Sequence, residues 1–120
     1  MNAITLPYPP STNRLTRFGN GRAYLSPKAR AWKQASAQIA RMAGVEVSAM
    51  PMHVSIILQP KQNKDGSASK TRPDIDNILK AALDGLNGVA WIDDKQILKV
   101  TAQIGFPVPD GGLSVSWIEV

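Results

Sequence analysis

Proline and glycine divide this chain into short segments, and that division limits its fold more than any other feature. The 120 residues include nine prolines and nine glycines. Because proline lacks the amide proton that helices and inner strands use, regular elements must lie between the prolines. A strand is predicted at 3–7, ahead of a pair of prolines, and a β-branched strand at 52–58 between Pro51 and Pro60. With no repeat and no linker, the chain is predicted to form one domain over 1–120.

Two helices are predicted, each from apolar residues that recur at helical spacing. The first, 28–43, begins after Ser26, an N-cap residue, with Pro27 at the first helical position. The second covers 74–87, and a glycine follows each helix as a stop signal. The apolar stripe of the first helix consists of Ala29, Trp32, Ala35, Ile39 and Met42. The stripe of the second consists of Ile75, Ile78, Leu79, Ala82, Leu83 and Leu86.

The rest of the chain is predicted to contain loops and a C-terminal hairpin. Strands at 96–106 and 113–120 flank a turn at 107–112, which favours a hairpin. The polar, basic segments 11–25 and 61–72 are predicted to be loops. Together these elements predict an α+β domain, in which a small mixed β-sheet of about four to five strands packs with two α-helices.

Charge is unevenly distributed along the chain. The formal net charge is +5, and residues 1–45 contain arginines and lysines but no acidic residue. Such a surface attracts polyanions, of which the phosphate backbone is the commonest, so a nucleic-acid partner is predicted. A basic surface without a partner is the alternative.

Several classes of protein are excluded by composition. No apolar run approaches the about 18–20 residues of a membrane span, and the N-terminus lacks the features of a signal peptide, so we expect a cytoplasmic protein with no membrane partner. The chain has no cysteine and a single histidine, His53. A thiolate metal site, a zinc site with several histidines and a Ser-His-Asp triad are therefore not expected.

Acidic residues cluster where the basic loop ends, in the segment RPDIDNILKAALDG. Two carboxylates well inside a helix at this spacing would diverge by about 200°. Asp74 and Asp76 converge only if Asp74 lies at the non-helical boundary, which Pro73 favours by holding the preceding residue extended. Lys80 follows Asp76 by one turn, on the same helix face. The segment therefore predicts either half of a metal site or, alternatively, a favourable helix cap with a surface ion pair.

A second acidic segment, WIDD, follows the helix and is predicted to supply the other half of the metal site. The helix is about 20 Å long, and residues 89–94, if extended, reach back by about the same distance. We therefore expect Asp93 or Asp94 to lie beside Asp74 and Asp76. Three carboxylates at one point require a cation, and oxygen-only ligands suit Mg²⁺ or Mn²⁺. A turn without chemistry is the alternative for Asp93-Asp94.

The pattern D-x-D-N-x-x-K followed by W-x-D-D-x-Q, with PPSTNR near the N-terminus, resembles the RusA family of Holliday junction resolvases of bacteria and prophages. The resemblance spans nearly the whole chain. It implies a homodimeric, Mg²⁺-dependent endonuclease that resolves four-way DNA junctions by paired symmetric nicks in DNA recombination and repair. It also implies activity at the nucleoid of a bacterial or phage-infected cell, without a small-molecule cofactor.

By position, the resemblance implies a role for each matching residue. Asp74, Asp76 and Asp94 would be catalytic and hold Mg²⁺, with Mn²⁺ as an alternative ion, and Lys80 would assist catalysis. The supporting residues would be Asp93, Asn13 and Asn77. The charge pattern adds the expected DNA contacts, which are Arg14, Arg17, Arg22, Lys70 and Arg72. One departure from the family lies in the loop before Asp74, which reads SASKTRP here but is arginine-rich in the best-known members. This difference bears on DNA affinity or sequence preference.

Three other functions are compatible with the residues. The first is a non-catalytic DNA-binding module whose acids only cap a helix, and the second is a related endonuclease that prefers flaps or forks. The third is a metal-dependent enzyme acting on a small phosphorylated substrate, which the acid-free stretch 1–45 disfavours.

Overall fold

The computed structural model describes the backbone of residues 2–10, 16–19 and 22–120, and the side chains of 2–10 and 26–120. The strands are β1 (Asn2–Leu6), β2 (Thr16–Gly19), β3 (Arg22–Leu25), β4 (Met52–Gln59), β5 (Ile97–Ile104) and β6 (Gly112–Glu119). The helices are α1 (Pro27–Met42) and α2 (Ile75–Leu86), and a 3₁₀ turn covers Asp94–Gln96. Of the described helices, none is long and apolar enough to cross a bilayer.

Four of the strands form one mixed sheet in the order β1-β6-β4-β5. β6 runs antiparallel to both β1 and β4, whereas β5 runs parallel to β4. Parallel neighbours need a crossover connection, and α2 lies within the one between β4 and β5. The predicted α+β fold, with a small mixed sheet and two helices, is confirmed.

The predicted C-terminal hairpin is wrong, because β4 lies between β5 and β6. The alternation of apolar and polar residues in β5 identified a strand, but alternation carries no information about which strand is the neighbour. The connection after β5 instead passes the end of β4, where the amide of Val108 donates to the carbonyl of Pro60 at 3.0 Å.

Part of the predicted loop 11–25 is also regular. β2 and β3 pair antiparallel as a separate two-stranded sheet, with Thr16 opposite Leu25 and Gly19 opposite Arg22. These strands have only four residues each and no regular apolar alternation, so the sequence signal for them is weak. Residues 11–15 of the predicted loop lie outside the described part of the chain.

Helix α1 begins as predicted, with the side chain of Ser26 accepting the amide of Ala29 at 3.2 Å and proline at the first position. Its buried stripe, however, is turned relative to the predicted one. Met42 is 80% exposed, whereas Ser36 and Ala40 are completely buried. Small residues face the core here because α1 packs closely on α2, and a stripe chosen by hydrophobicity alone overlooks this. The buried residues of α1 are Ala29, Trp32, Ser36 and Ala40.

The core lies between the helices and one face of the sheet. Alternate residues of β4 point into it, and its largest members include two tryptophans, Trp91 and Trp117, whose rings meet edge to face at a centroid distance of 6.0 Å. Trp32 is 9% exposed, and its indole N–H donates to the carbonyl of Pro7 at 2.9 Å. Both Trp32 and Trp117 thus lie in the core.

Close packing between α1 and α2 depends on Gly85. A methyl group at this position would lie 2.8 Å from Cζ3 of Trp32, whose ring is held by its hydrogen bond to Pro7. We expect Gly85→Ala to destabilise the protein by up to about 2 kcal/mol, since overpacking costs about 1–3 kcal/mol and the gain in helix propensity offsets about 1 kcal/mol. Urea unfolding measures this difference.

Asp84→Ala is the matched control, because its exposed side chain lies on the same helix. It should be neutral or slightly stabilising. Combining Gly85→Ala with Trp32→Leu should remove most of the clash, so that the two changes are not additive. A Gly85→Ala variant about 1 kcal/mol more stable than the wild type would show that the ring moves aside without cost.

Candidate active site

Asp74 occupies the N-cap of α2 in an extended conformation, with φ of −70° and ψ of 160°. Its backbone carbonyl accepts the amide of Ile78 at 3.0 Å, but its carboxylate makes no capping hydrogen bond. The predicted position of Asp74 at the non-helical boundary is confirmed. Because the side chain does not cap the helix, capping does not account for an aspartate here.

Asp76 lies in the first turn of α2 and is exposed, as is Lys80 one turn further on. The carboxylate of Asp76 accepts the amide of Asn77 at 3.0 Å, which leaves its second oxygen without a described partner. Residues four apart share a helix face, so Asp76 and Lys80 are neighbours on the surface as predicted. Asn77 is half-buried beside them.

Tyr8 positions the loop that leads into Asp74. Its hydroxyl donates to the carbonyl of Thr71 at 3.5 Å, and Nζ of Lys61 lies 4.9 Å from the ring centroid. Burial raises the pKa of Tyr8, and the charge of Arg72 lowers it by a smaller amount, so the hydroxyl remains a donor at neutral pH. No local sequence pattern predicts this contact, which joins the segment after β1 to a loop 63 residues later.

The second acidic segment is organised by Gln96, whose role the sequence analysis missed. Oε1 of Gln96 accepts the amides of Ile92 at 2.8 Å and Asp93 at 2.9 Å. Its Nε2 donates to the carbonyls of Ser48 at 2.8 Å and Met50 at 3.0 Å. Asp93 followed by glutamine three residues later is a capping box, so this signal was present in the motif W-x-D-D-x-Q.

Asp93 supports the turn that carries Asp94. Oδ1 of Asp93 accepts the amide of Lys95 at 2.9 Å, and both aspartates are exposed. The pKa of Asp93 is lowered first by that backbone hydrogen bond, then by the Asp94 side chain and the charge of Lys95. Asp93 is therefore ionised at neutral pH and caps the turn in which Asp94 lies.

The predicted return of residues 89–94 to the start of α2 is wrong. The chain turns at Gly88, where φ is 80°, and the amides of Val89 and Ala90 both donate to the carbonyl of Leu86. Residues 89–91 are buried in the core, so they cannot form an extended surface strand. Trp91 then pairs with Ser48, just ahead of β4.

The two acidic segments consequently lie at opposite ends of α2. Asp74 precedes the helix, near the end of β4, whereas Asp93-Asp94 is held at its other end beside Ser48 and Met50. Twelve residues of helix separate them by about 18 Å. Accordingly, the described residues contain no group of three or more side chains placed to hold a metal ion. Asp74, Asp76 and Lys80 therefore lie at the start and in the first half of α2, whereas Asp94 lies beyond its other end.

The expected DNA contacts are only partly described. Lys70 and Arg72 are exposed on the loop that leads to Asp74, where they flank the acidic pair with positive charge. Arg17 and Arg22 lie on the β2–β3 hairpin, on paired strands whose side chains are not described. Asn13 and Arg14 fall outside the described residues. Their roles therefore remain predictions.

Comparison with known proteins defines the class as endodeoxyribonucleases, enzymes that hydrolyse phosphodiester bonds within DNA. Residues 7–116 match the family model described as Endodeoxyribonuclease RusA, and the chain belongs to the RusA family. It is 34% identical over 112 residues to the crossover junction endodeoxyribonuclease RusA of Escherichia coli strain K12, with 92% of this chain and 87% of the relative covered.

Two further relatives carry the same name. The protein of Shigella sonnei strain Ss046 is 33% identical over 112 residues, with 92% of this chain and 87% of the relative covered. That of Enterobacteria phage 82 is 32% identical over 111 residues, with 91% and 86% covered. The family resemblance inferred from the motifs is confirmed, and it extends to a phage protein.

Proposed function

We propose that this chain is a structure-selective DNA endonuclease that resolves four-way junctions by paired symmetric nicks in recombination and repair. The observation that carries the proposal is the exposed Asp74, whose carboxylate makes no capping hydrogen bond, with the exposed Asp76 two residues later at the start of α2. The surrounding chain is basic, with a net charge of +5, as a DNA-binding protein requires. The relatives named as crossover junction endonucleases support four-way junctions as the substrate.

The donor atoms fit a hard divalent cation. Asp74, Asp76 and Asp94 offer only carboxylate oxygens, all on exposed side chains, and such ligands suit Mg²⁺, with Mn²⁺ as an alternative. We propose that these three residues would hold the ion. The chemistry it supplies is polarisation of the scissile phosphate and a more acidic attacking water.

The remaining residues act on the DNA through charge and position. Lys80, on the same helix face as Asp76, stabilises the negative charge that develops on the phosphate oxygens during attack. Lys70 and Arg72 hold the phosphate backbone beside the carboxylates. Asp93 caps the turn that presents Asp94, and Asn77 and Asn13 complete the proposed supporting set.

The placement of the two acidic segments supports a homodimer. Because about 18 Å of helix separates Asp74 from Asp94 in one chain, that chain alone does not gather the three carboxylates. We propose that each site combines Asp74 and Asp76 of one chain with Asp94 of a second copy. A two-fold axis then generates two equivalent sites, which matches two symmetric nicks in a junction.

Cleavage of a synthetic four-way junction tests this function. The substrate is compared with a matched duplex, a flap and a fork, each with and without Mg²⁺. We expect paired symmetric nicks at the junction that require the ion and are absent from the duplex. Failure to cut any branched substrate in Mg²⁺ or Mn²⁺ would overturn the proposal. Faster cleavage of flaps or forks than of the junction would show that one of those structures is the preferred substrate.

A further inference from the structure

A basic groove lies between α1 and the C-terminal end of α2, and none of the residues assigned above lines it. Its volume is about 520 Å³. Three cations of α1 line one side, and the residues that end α2 line the other. Its main lining residues are Arg30, Lys33, Arg41, Asn87, Gly88 and Val89.

The charge of the basic groove is not neutralised by its own lining. No carboxylate is among the residues that line it, and α1 contains no acidic residue at all. The carboxylate closest to it along α2 is Asp84, one turn before Gly88 and outside the lining. Soluble surfaces usually intersperse the two signs of charge, so three cations in one groove favour an anionic ligand.

The arrangement of the cations favours a row of phosphates over a single small anion. Arg30, Lys33 and Arg41 follow one stripe of α1, and eleven helical positions span about 16 Å. One DNA strand carries a phosphate about every 3.4 Å along the axis, so this line of charge matches about five successive nucleotides. The opposite wall offers little obstruction, since a side chain added at Gly88 would meet open space.

The basic groove also lies on a direct path from the proposed catalytic residues. The polar face of α2 carries Asp76 and Lys80 near its start and Asn87, a groove residue, at its end. The eleven positions from Asp76 to Asn87 correspond to about 16 Å, or about five base pairs of duplex. We propose that the basic groove binds the phosphate backbone of a duplex arm, about five base pairs from the scissile phosphate. This inference rests on the proposed function.

The salt dependence of binding tests the groove separately from cleavage. Junction affinity is measured without divalent ions, so that no DNA is cut, across a range of salt concentrations. Each lost phosphate contact lowers the slope of log Kd against log salt by about 0.9. Arg41→Gln should therefore lower it by about 0.9, and the triple variant Arg30→Gln/Lys33→Gln/Arg41→Gln by about 2–3.

Lys99→Gln is the matched control, because this exposed lysine lies on β5, outside the groove lining. It should leave the slope unchanged. If it lowers the slope as much as Arg41→Gln, net charge explains the effect and the proposal is wrong. If the triple variant does not fold, the salt slopes of the three single variants are compared with that of the wild type instead.

A change in the DNA locates the contact. Neutral methylphosphonates at the fourth to sixth phosphates from the nick should weaken binding by the wild type and have little effect on the triple variant. Equal weakening of both proteins would overturn the proposal. Cleavage at saturating protein should persist in the triple variant, since none of its residues is proposed to be catalytic. If the groove variants bind the junction like the wild type, and the wild type cleaves it, only the groove proposal is refuted. If the wild type does not cleave, the proposed function is refuted.

Discussion

Asp74→Asn is expected to lower junction cleavage by about 10²–10³-fold, the usual loss when one electrostatic stabiliser of the reaction is removed. The backbone carbonyl of Asp74 still accepts the amide of Ile78, and the side chain has no capping bond to lose. The fold and junction binding should therefore remain. Single-turnover cleavage in Mg²⁺, junction affinity without divalent ions and a thermal melt measure the three quantities.

Asp84→Asn is the matched control for Asp74→Asn, because it removes the same charge from an exposed position of the same helix. Its cleavage rate at saturating protein should stay within about twofold of the wild type, since surface changes rarely matter. Cleavage by Asp74→Asn at the wild-type rate would remove Asp74 from the catalytic set. A large loss of stability together with cleavage would instead show that the aspartate is structural.

Mixing two inactivated variants tests whether each proposed site combines residues of two chains. Asp74→Asn and Asp94→Asn alone should each cleave about 10²–10³-fold more slowly than the wild type. If each site draws on two chains, a mixture of the two variants forms heterodimers with one site that has lost both carboxylates and one site that retains all three. Mixing should then restore single nicks, without restoring paired ones. No recovery after verified exchange of chains would show that all three carboxylates act within one chain.

Local rules predicted the start of α2 from the sequence. Proline restricts the residue before it and favours a helix start after it, so Pro73 placed Asp74 at the boundary. The same type of rule placed Ser26 and Pro27 at the start of α1. These signals depend on a few neighbouring residues, and the structure follows them at both helices.

The path of the chain after α2 could not be predicted in the same way. Length alone allowed residues 89–94 to reach back along the helix, but Val89, Ala90 and Trp91 are buried in the core. Because these residues pack in the core, the segment does not extend back along the helix, and Asp94 lies near the start of β4. Which strand neighbours β5 depended likewise on contacts distant in sequence. Acidic segments close in sequence are therefore separated in space, and a second chain becomes part of the proposed site.

Gln96→Leu is expected to lower cleavage by about 10–100-fold, the range observed when residues that orient metal ligands are changed. The substitution removes four hydrogen bonds, two from the amides of Ile92 and Asp93 and two to the carbonyls of Ser48 and Met50. At about 0.5–1 kcal/mol each for partly exposed groups, stability should fall by about 2–4 kcal/mol. A positioning role also predicts a higher Mg²⁺ concentration for half-maximal cleavage, which purely global destabilisation would not produce below the melting temperature.

Gln103→Leu is the control for Gln96→Leu, because it makes the same chemical change at an exposed position of β5. It should alter neither the cleavage rate nor the Mg²⁺ requirement.

Gln96→Glu separates the two functions of Gln96, which are to accept two amides and to donate to two carbonyls. Its carboxylate still accepts the amides of Ile92 and Asp93, but it cannot donate to the carbonyls of Ser48 and Met50 unless protonated. At neutral pH Gln96→Glu therefore keeps the two accepted bonds and loses the two donated ones, so stability should fall by at least half as much as in Gln96→Leu. Urea unfolding at neutral pH measures this loss, and a Gln96→Glu variant as stable as the wild type would show that the turn does not depend on these two donated bonds.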